Sequence, residues 1–351
     1  MAIYSAGDKA IFDALNLPAV TNQHLRELFI SRGIIISKST PRRALADYYS
    51  RLAHDYQDYQ TLAKLFGSPA RRERLSSMRV TSSSVDISQF EAAAHSLCKS
   101  IRAGGDLATV RARANGSFDI VVKYQVTQFN QTEFRQVVAK EATITVEPSG
   151  AAIAISGPHN EHVDEWTRTL IADVGKEADD TLDIDEVSLE HILDSNKRSK
   201  FFMELIKSVR GFKFYDVTDA FVYKPKLKST DEEDDQDPTI DIGVHITKAS
   251  LKGEGVLQSD ELRILFSKGF YLWKIVWQAV NESTSEPDLY EFEAQFSEPE
   301  SCTRFSYLPR GFYKVQEDTS FNKSRTGVAE GADTSLGRRI EDAARSVVKK
   351  L

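Results

Sequence analysis

Two short stretches carry residue types at spacings that could do chemistry. In PHNEHVDEW, residues 158–166, His159 and His162 stand three apart with Glu161, Asp164 and Glu165 close by. One helical turn could aim both imidazoles at a zinc ion, but the third or fourth ligand that zinc requires is missing and the HExxH spacing is not met. Polar first-turn residues after Gly157 and Pro158 account for the same letters. In PDLYEFEAQ, residues 287–295, Asp288, Glu293 and Gln295 resemble the acid set with which magnesium nucleases orient a water. Their separation is short for the strand-turn-strand arrangement such sites use. No GxxxxGK[ST] or GxGxxG cradle is present, and neither a serine nor a cysteine sits in a nucleophile elbow. The pattern therefore predicts no catalytic residue, no metal and no cofactor, and an unrecognised magnesium-dependent nuclease stands as the third reading.

The elements around these stretches divide by period. Thr21 caps a helix with Leu25, Leu28 and Phe29 on its apolar face, and Arg32–Gly33 ends it. After IIISKS, Thr40 and Pro41 pair as N-cap and first-turn proline of a second helix, which carries Ala44, Leu45, Tyr48, Tyr49 and Leu52. A third helix runs through Tyr56, Leu62 and Phe66. Beyond a Ser-rich joint and a helix over Phe90–Ile101, the period falls from about 3.6 to 2 in SFDIVVKYQV, QVVAKEATITVEP and AAIAISG, an antiparallel meander. A helix from His159 to Val174 follows, then a Gly/Asp/Glu-rich joint, then SKFFMELIKSVRG, whose Phe202, Leu205, Ile206 and Val209 share one helical face. Five further strand segments lie between Phe212 and Val315. In one of them, FYLWKIVWQAV, the face with Tyr271, Trp273, Ile275 and Trp277 belongs to the core and the opposite face meets solvent.

These patterns predict an α+β protein: a small all-helical subdomain over 1–80, two antiparallel-sheet-plus-helix units over 85–175 and 186–316, a flexible linker over 317–337 and a C-terminal amphipathic helix over 338–351. The acidic run Asp231, Glu232, Glu233, Asp234, Asp235 and Asp237 reads as a solvated loop. On the last helix Ile340, Ala344, Val347, Val348 and Leu351 form one stripe, which packs on its own chain or serves as a handle for a protein partner or a second copy.

Charge is split unevenly. Residues 1–80 hold 12 Lys and Arg against 7 Asp and Glu, whereas the whole chain has a formal net charge of −7, so a basic front end precedes an acidic body. Cys98 and Cys302 stand apart without metal or redox spacing, the first twenty residues read as a short amphipathic helix, and no apolar run approaches a membrane span. A cytoplasmic location is expected.

The front segment itself, L-x-x-L-F-x-x-R-G at 25–33, a loop with Ser37, and T-P-R-R-x-x-L at 40–46 followed by Leu52, resembles the helix–extended-loop–helix motif of the SAP and HeH-type DNA-binding family, over about 32 of 351 residues. The resemblance implies that Arg32, Ser37, Lys38, Thr40, Arg42 and Arg43 contact nucleic acid. Helix N-termini and clustered cations favour phosphates independently. The loop opens on Ile34, Ile35 and Ile36, and the related LEM and Rho N-terminal motifs use the same skeleton to bind protein or as a spacer. The expected function is a non-catalytic, double-stranded-DNA-binding protein of weak sequence preference, whose body recognises a partner within a nucleic-acid-processing or defence system. The alternative is an assembly or adaptor subunit with no nucleic-acid contact.

Overall fold

The computed structural model describes residues 6–18, 20–66, 72–82, 85–178, 181–225, 246–282, 287–316, 320–329 and 331–351; the acidic run at 231–237 lies outside them. In chain order the elements are α1 (Asp8–Leu15), α2 (Asn22–Ser31), α3 (Arg42–Ser50), α4 (Tyr56–Phe66), β1 (Leu75–Thr81), α5 (Ile87–Ala103), β2 (Leu107–Ala112), β3 (Phe118–Thr127), α6 (Glu133–Gln136), β4 (Val137–Ser149), β5 (Ala152–Pro158), α7 (Glu161–Ala178), β6 (Asp183–Glu186), α8 (Ser195–Ser208), β7 (Phe212–Tyr223), β8 (Lys248–Lys252), α9 (Asp260–Ser267), β9 (Tyr271–Asn281), β10 (Leu289–Glu298), β11 (Thr303–Tyr313) and α10 (Ala332–Val348). The class is α+β, as the change of period indicates. The strands form one sheet in the order β2-β3-β4-β5-β1-β11-β10-β9-β7-β8, with β6 also beside β1.

Residues divide into two compact units. The first comprises Met1–Arg72, Cys98–Thr109 and Val121–Ala142. Its core gathers Ile11 and Leu15 of α1, Leu25 and Phe29 of α2, Leu45 and Tyr49 of α3, Leu62 of α4 and Phe134 of α6. Each large apolar side chain so buried contributes about 1.5–3 kcal/mol relative to exposure. Phe134, whose ring stacks on Tyr59 at 5.0 Å, comes from the β3–β4 connection, so the helical front end is completed by residues outside 1–80. On α3 the buried positions are Leu45, Ala46, Tyr49 and Ser50, while Ala44 and Tyr48 face outward.

The second unit holds Glu73–Leu97, Val110–Ile120 and Thr143–Leu351. Two separate sheet units are not what forms, and the reason is β1. This Ser-rich, basic segment, which closes the helical front end in the sequence reading, pairs antiparallel with β5 from Leu75↔Pro158 to Val80↔Ile153 and with β11 at Leu75↔Tyr307. Its second half also pairs with β6, Met78↔Glu186 to Thr81↔Asp183, in place of the expected joint.

On one face of this sheet α8 packs through Phe201, Phe202, Leu205 and Ile206 against Ile275, Trp277, Phe292 and Phe296. Strand β9 is covered on both faces, contrary to the one-sided expectation: Leu272 and Val276 are as buried as Tyr271, Ile275 and Trp277, whereas Trp273 is only half-buried. A register shift against β7, between Phe221 and Val222, sits at this point and breaks the strict alternation.

The last helix begins six residues before the expected start, at Ala332 rather than 338. Gly337, which reads as linker, lets it approach β11: a Cβ there would lie 2.8 Å from the Tyr307 ring. Ile340, Ala344 and Val347 are buried in the chain's own core, with Val348 and Leu351 packed against it. That corrects their assignment as partner-binding residues. Arg345 fixes the helix by ion pairs to Glu341 at 2.8 Å and Asp185 at 2.6 Å. The expected linker is also partly structured, since Phe321 and Thr326 bridge back to Val315 and Phe312. Among the described residues no helix is long and apolar enough to cross a membrane.

Candidate nucleic-acid interface

The helix–extended-loop–helix unit forms as its punctuation dictates. Thr21 Oγ1 accepts from His24 N at 3.2 Å, and Thr21 N donates to His24 Nδ1 at 3.3 Å, a reciprocal cap that fixes the start of α2. Gly33 at φ 72° turns the chain out of the helix. Beyond it the backbone is extended, so side chains alternate: Ile34 and Ile36 pack on the unit's core while Ile35 between them is 95% exposed. The far end of the loop is pinned by Arg26, whose Nη2 donates to Lys38 O at 2.8 Å.

Helix α3 starts at Arg42 with Pro41 as N-cap, one residue later than the Thr40–Pro41 reading, and has no side-chain cap. A proline at the N-cap offers no side-chain acceptor, so the first-turn N–H groups are left without the partner a Thr cap would supply. Thr40 is half-buried, and Ser37, exposed, shares its hydroxyl with Ser39 at 2.8 Å.

The six expected contact residues separate into two kinds. Arg32 is turned inward: it donates to Ala53 O at 2.6 Å and His54 Nδ1 at 3.0 Å, pairs with Asp58, and lies 5.2 Å over the Tyr49 ring. Arg42 donates to the carbonyls of Leu15 and Leu17, tying off the C-terminal end of α1. Both guanidiniums are committed to the fold and leave the contact set. Lys38 and Arg43 are exposed and remain in it, with the hydroxyls of Ser37 and Thr40.

His54 makes this unit sensitive to acid. Its Nδ1 accepts from Arg32, so the ring is neutral with Nε2 donating to Tyr49 O at 3.0 Å. Burial lowers its pKa first of all, partly offset by the bond to Tyr49 and reinforced by the Arg32 charge. A depressed folded pKa means that the unfolded chain binds the proton more readily, so the contribution of His54 to stability is full above about pH 6.5 and is lost as pH falls below it. His54→Gln, whose amide does not titrate, is expected to flatten the thermal midpoint of the front unit between about pH 7 and 5. A slope as steep as wild type would show that another group governs it.

The chemical candidates fare differently. Among the described residues no group of three or more His, Cys, Asp or Glu is placed to hold a metal ion. His159 Nε2 bonds to Ser297 Oγ at 2.7 Å, while His162, exposed, lies beside Trp166. Asp288 stands at the entrance of β10, where its Oδ1 accepts from Val315 N at 3.1 Å. Five residues along a strand put it about 16 Å from Glu293, so the two carboxylates do not converge. Glu293 is instead held by Lys274 at 2.7 Å and Arg74 at 3.1 Å.

Neither a protein-family model nor a curated protein matches the chain. The functional reading therefore rests on geometry and chemistry. Sequence reasoning missed the partners of Glu293, Arg74, Lys274 and Arg310, which arrive from three other segments; its only local sign is the alternation of Glu291, Glu293 and Gln295 with Phe292, Ala294 and Phe296.

Proposed function

We propose that residues 21–52 hold double-stranded DNA through its phosphate backbone, weakly and with little sequence preference, in a protein that performs no catalysis on it. The observation that carries this reading is the pair of exposed cations, Lys38 and Arg43, on either side of an α3 N-terminus whose N-cap, Pro41, makes no side-chain cap. Cations and free N–H groups at a helix start are both complementary to a phosphate oxygen. The acidic body recognises a further partner, in keeping with a subunit of a nucleic-acid-processing or defence system.

With Arg32 and Arg42 committed elsewhere, the number of phosphates neutralised falls to about two, so log K should fall with log salt at a slope of about −2. Fluorescence anisotropy of a labelled duplex, titrated with wild type and Lys38→Ala/Arg43→Ala over a salt series, tests this. Wild type should bind at low salt with that slope, and the double variant should lose both affinity and slope. Equal binding by the two proteins, or none by wild type, removes the reading.

A second reading, a protein-docking module, draws on a different observation: Ile30, Ile35 and Tyr48, all large, are exposed within the same motif. Retained function after Lys38→Ala/Arg43→Ala but loss after Ile35→Asp would select it.

A further inference from the structure

On the polar face of β9–β10–β11, two buried carboxylates gather four cations. Glu291 and Glu293 are each only 6% exposed, and they share their face of β10 with Gln295 while Phe292, Ala294 and Phe296 point into the core. Glu291 Oε1 meets Arg325 Nη1 and, at 3.2 Å, Arg310 Nε; Tyr313 donates its hydroxyl to Glu291 Oε2 at 3.0 Å. Glu293 Oε1 meets Lys274 Nζ and Arg74 Nη1, and its Oε2 lies 3.8 Å from Arg310 Nε, so Arg310 spans the two acids.

Two carboxylates against four cations leave a formal surplus of +2. Burying an ion pair for stability alone calls for matching charge, because an extra cation adds desolvation cost without attraction. The cations are not sealed in, however: their side chains are between 17% and 36% exposed, Lys274 least and Arg74 most. Nor are their donors used up. A guanidinium has five N–H groups. Arg310 approaches the acids through Nε and leaves both terminal nitrogens, while Arg325 and Arg74 approach through Nη1 and leave Nη2; the Arg74 Nε is buried and is not among the spare donors. Three planar forks are thus held in place from below by carboxylates and keep spare donors on a solvent-accessible face.

We infer that this face is a site for a phosphoryl anion, with Arg74, Arg310 and Arg325 as its ligating groups and Glu291 and Glu293 as the groups that hold them in position. Guanidinium forks match the spacing of phosphate oxygens, and fixing them beforehand lowers the ordering cost of binding. A glycine makes the arrangement possible. At Gly311, φ 150°, a Cβ would fall 2.4 Å from Thr326 O and 2.8 Å from Arg325 Cγ, so only a residue without one lets the segment bearing Arg325 lie against β11. The site does not depend on the front unit's role.

Isothermal titration of the full chain with pyrophosphate tests it. Wild type should bind one equivalent, Arg310→Gln/Arg325→Gln should lose at least about tenfold in affinity, and Lys38→Ala/Arg43→Ala should bind as wild type. Gly311→Ala, which moves Arg325 without removing a charge, should weaken binding too, and Arg310→Lys should recover only part of it, which guards against a double variant that fails to fold. Competition between pyrophosphate and a short duplex in the Lys38→Ala/Arg43→Ala protein would assign the phosphoryl group to a nucleic-acid backbone; absence of competition would assign it to a free ligand. No binding by wild type, or wild-type affinity in folded Arg310→Gln/Arg325→Gln, overturns the inference.

Discussion

Arg198→Ala is expected to lower the stability of the second unit by about 3–5 kcal/mol, read as a shift of the urea midpoint followed by tryptophan fluorescence. Arg198 lies on α8 and is 4% exposed. Its Nε donates to Ile192 O at 2.6 Å, and its Nη1 to Tyr271 OH and Glu300 O, each at 2.7 Å. The guanidinium also sits 4.8 Å over the Tyr271 ring. Truncation takes the guanidinium donor from Ile192 O, leaves Glu300 O with only the Tyr271 hydroxyl at 3.2 Å, and opens a cavity beneath the β10–β11 connection. Tyr271 does not substitute for the lost charge. Burial drives its hydroxyl well above the usual tyrosine range, so it stays protonated and keeps donating to Pro299 O at 2.8 Å. Arg198→Lys retains the charge but not the planar set of donors, and should recover less than half of the loss. A midpoint within experimental error of wild type for Arg198→Ala would mean that the turn at 299–302 is held by something else.

Arg32→Ala should cost the front unit about 2–3 kcal/mol and weaken DNA binding only as far as it unfolds that unit. Three groups lose their donor at once: Ala53 O, His54 Nδ1 and the Asp58 carboxylate. Asp58 keeps a bond from Asp55 N at 3.1 Å, which limits the penalty. Amide hydrogen exchange of α2 to α4 measures the stability, and duplex anisotropy at a temperature where the variant is folded measures the contact. Unchanged exchange protection with a reduced salt slope would return Arg32 to the interface. Lys38→Ala/Arg43→Ala should show the converse pattern, since neither exposed side chain supports the core.

Much of the scaffold could be read from letters because the signals were local. Thr21, Gly33 and the four apolar positions of α8 act within one or two turns, and the residues that define them are neighbours in the chain. Strands β7, β9, β10 and β11 are rich enough in aromatic and branched residues to declare themselves. Strand β6, Asp-Ile-Asp-Glu, has no such signature: all four residues are exposed, and what makes it a strand is the free edge of β1. The site divides along the same line. Lys38 and Arg43 were legible as cations beside a helix start, but the fate of Arg32 depends on acceptors 21 to 26 residues further on. Arg42 reaches back to carbonyls at the end of α1, and nothing at 40–46 announces that. The cations around Glu291 and Glu293 come from positions 74, 274, 310 and 325. A periodicity of acids on one strand hints at a polar face, yet only tertiary pairing supplies the charges that occupy it.

The place of β1 has a consequence for how the chain acquires its structure. Its first sheet partner, β5, is available once residue 158 has been made, but the neighbour on its other edge, at Tyr307, follows about 150 residues later. At translation rates of ~5–20 residues per second that interval is on the order of ten to thirty seconds. During it the Leu75 end of that edge is an open template for strand pairing, of the kind that recruits other chains, while β6, made by residue 186, covers Met78–Thr81. The helix that covers Leu75 and Tyr307, α10, follows β11 in the chain, with Gly337 at its point of closest approach. The nascent chain therefore spends that interval with the Leu75 end of β1 unpaired on one edge, and the arrival of β11, not formation of the early helices, sets when the sheet becomes complete.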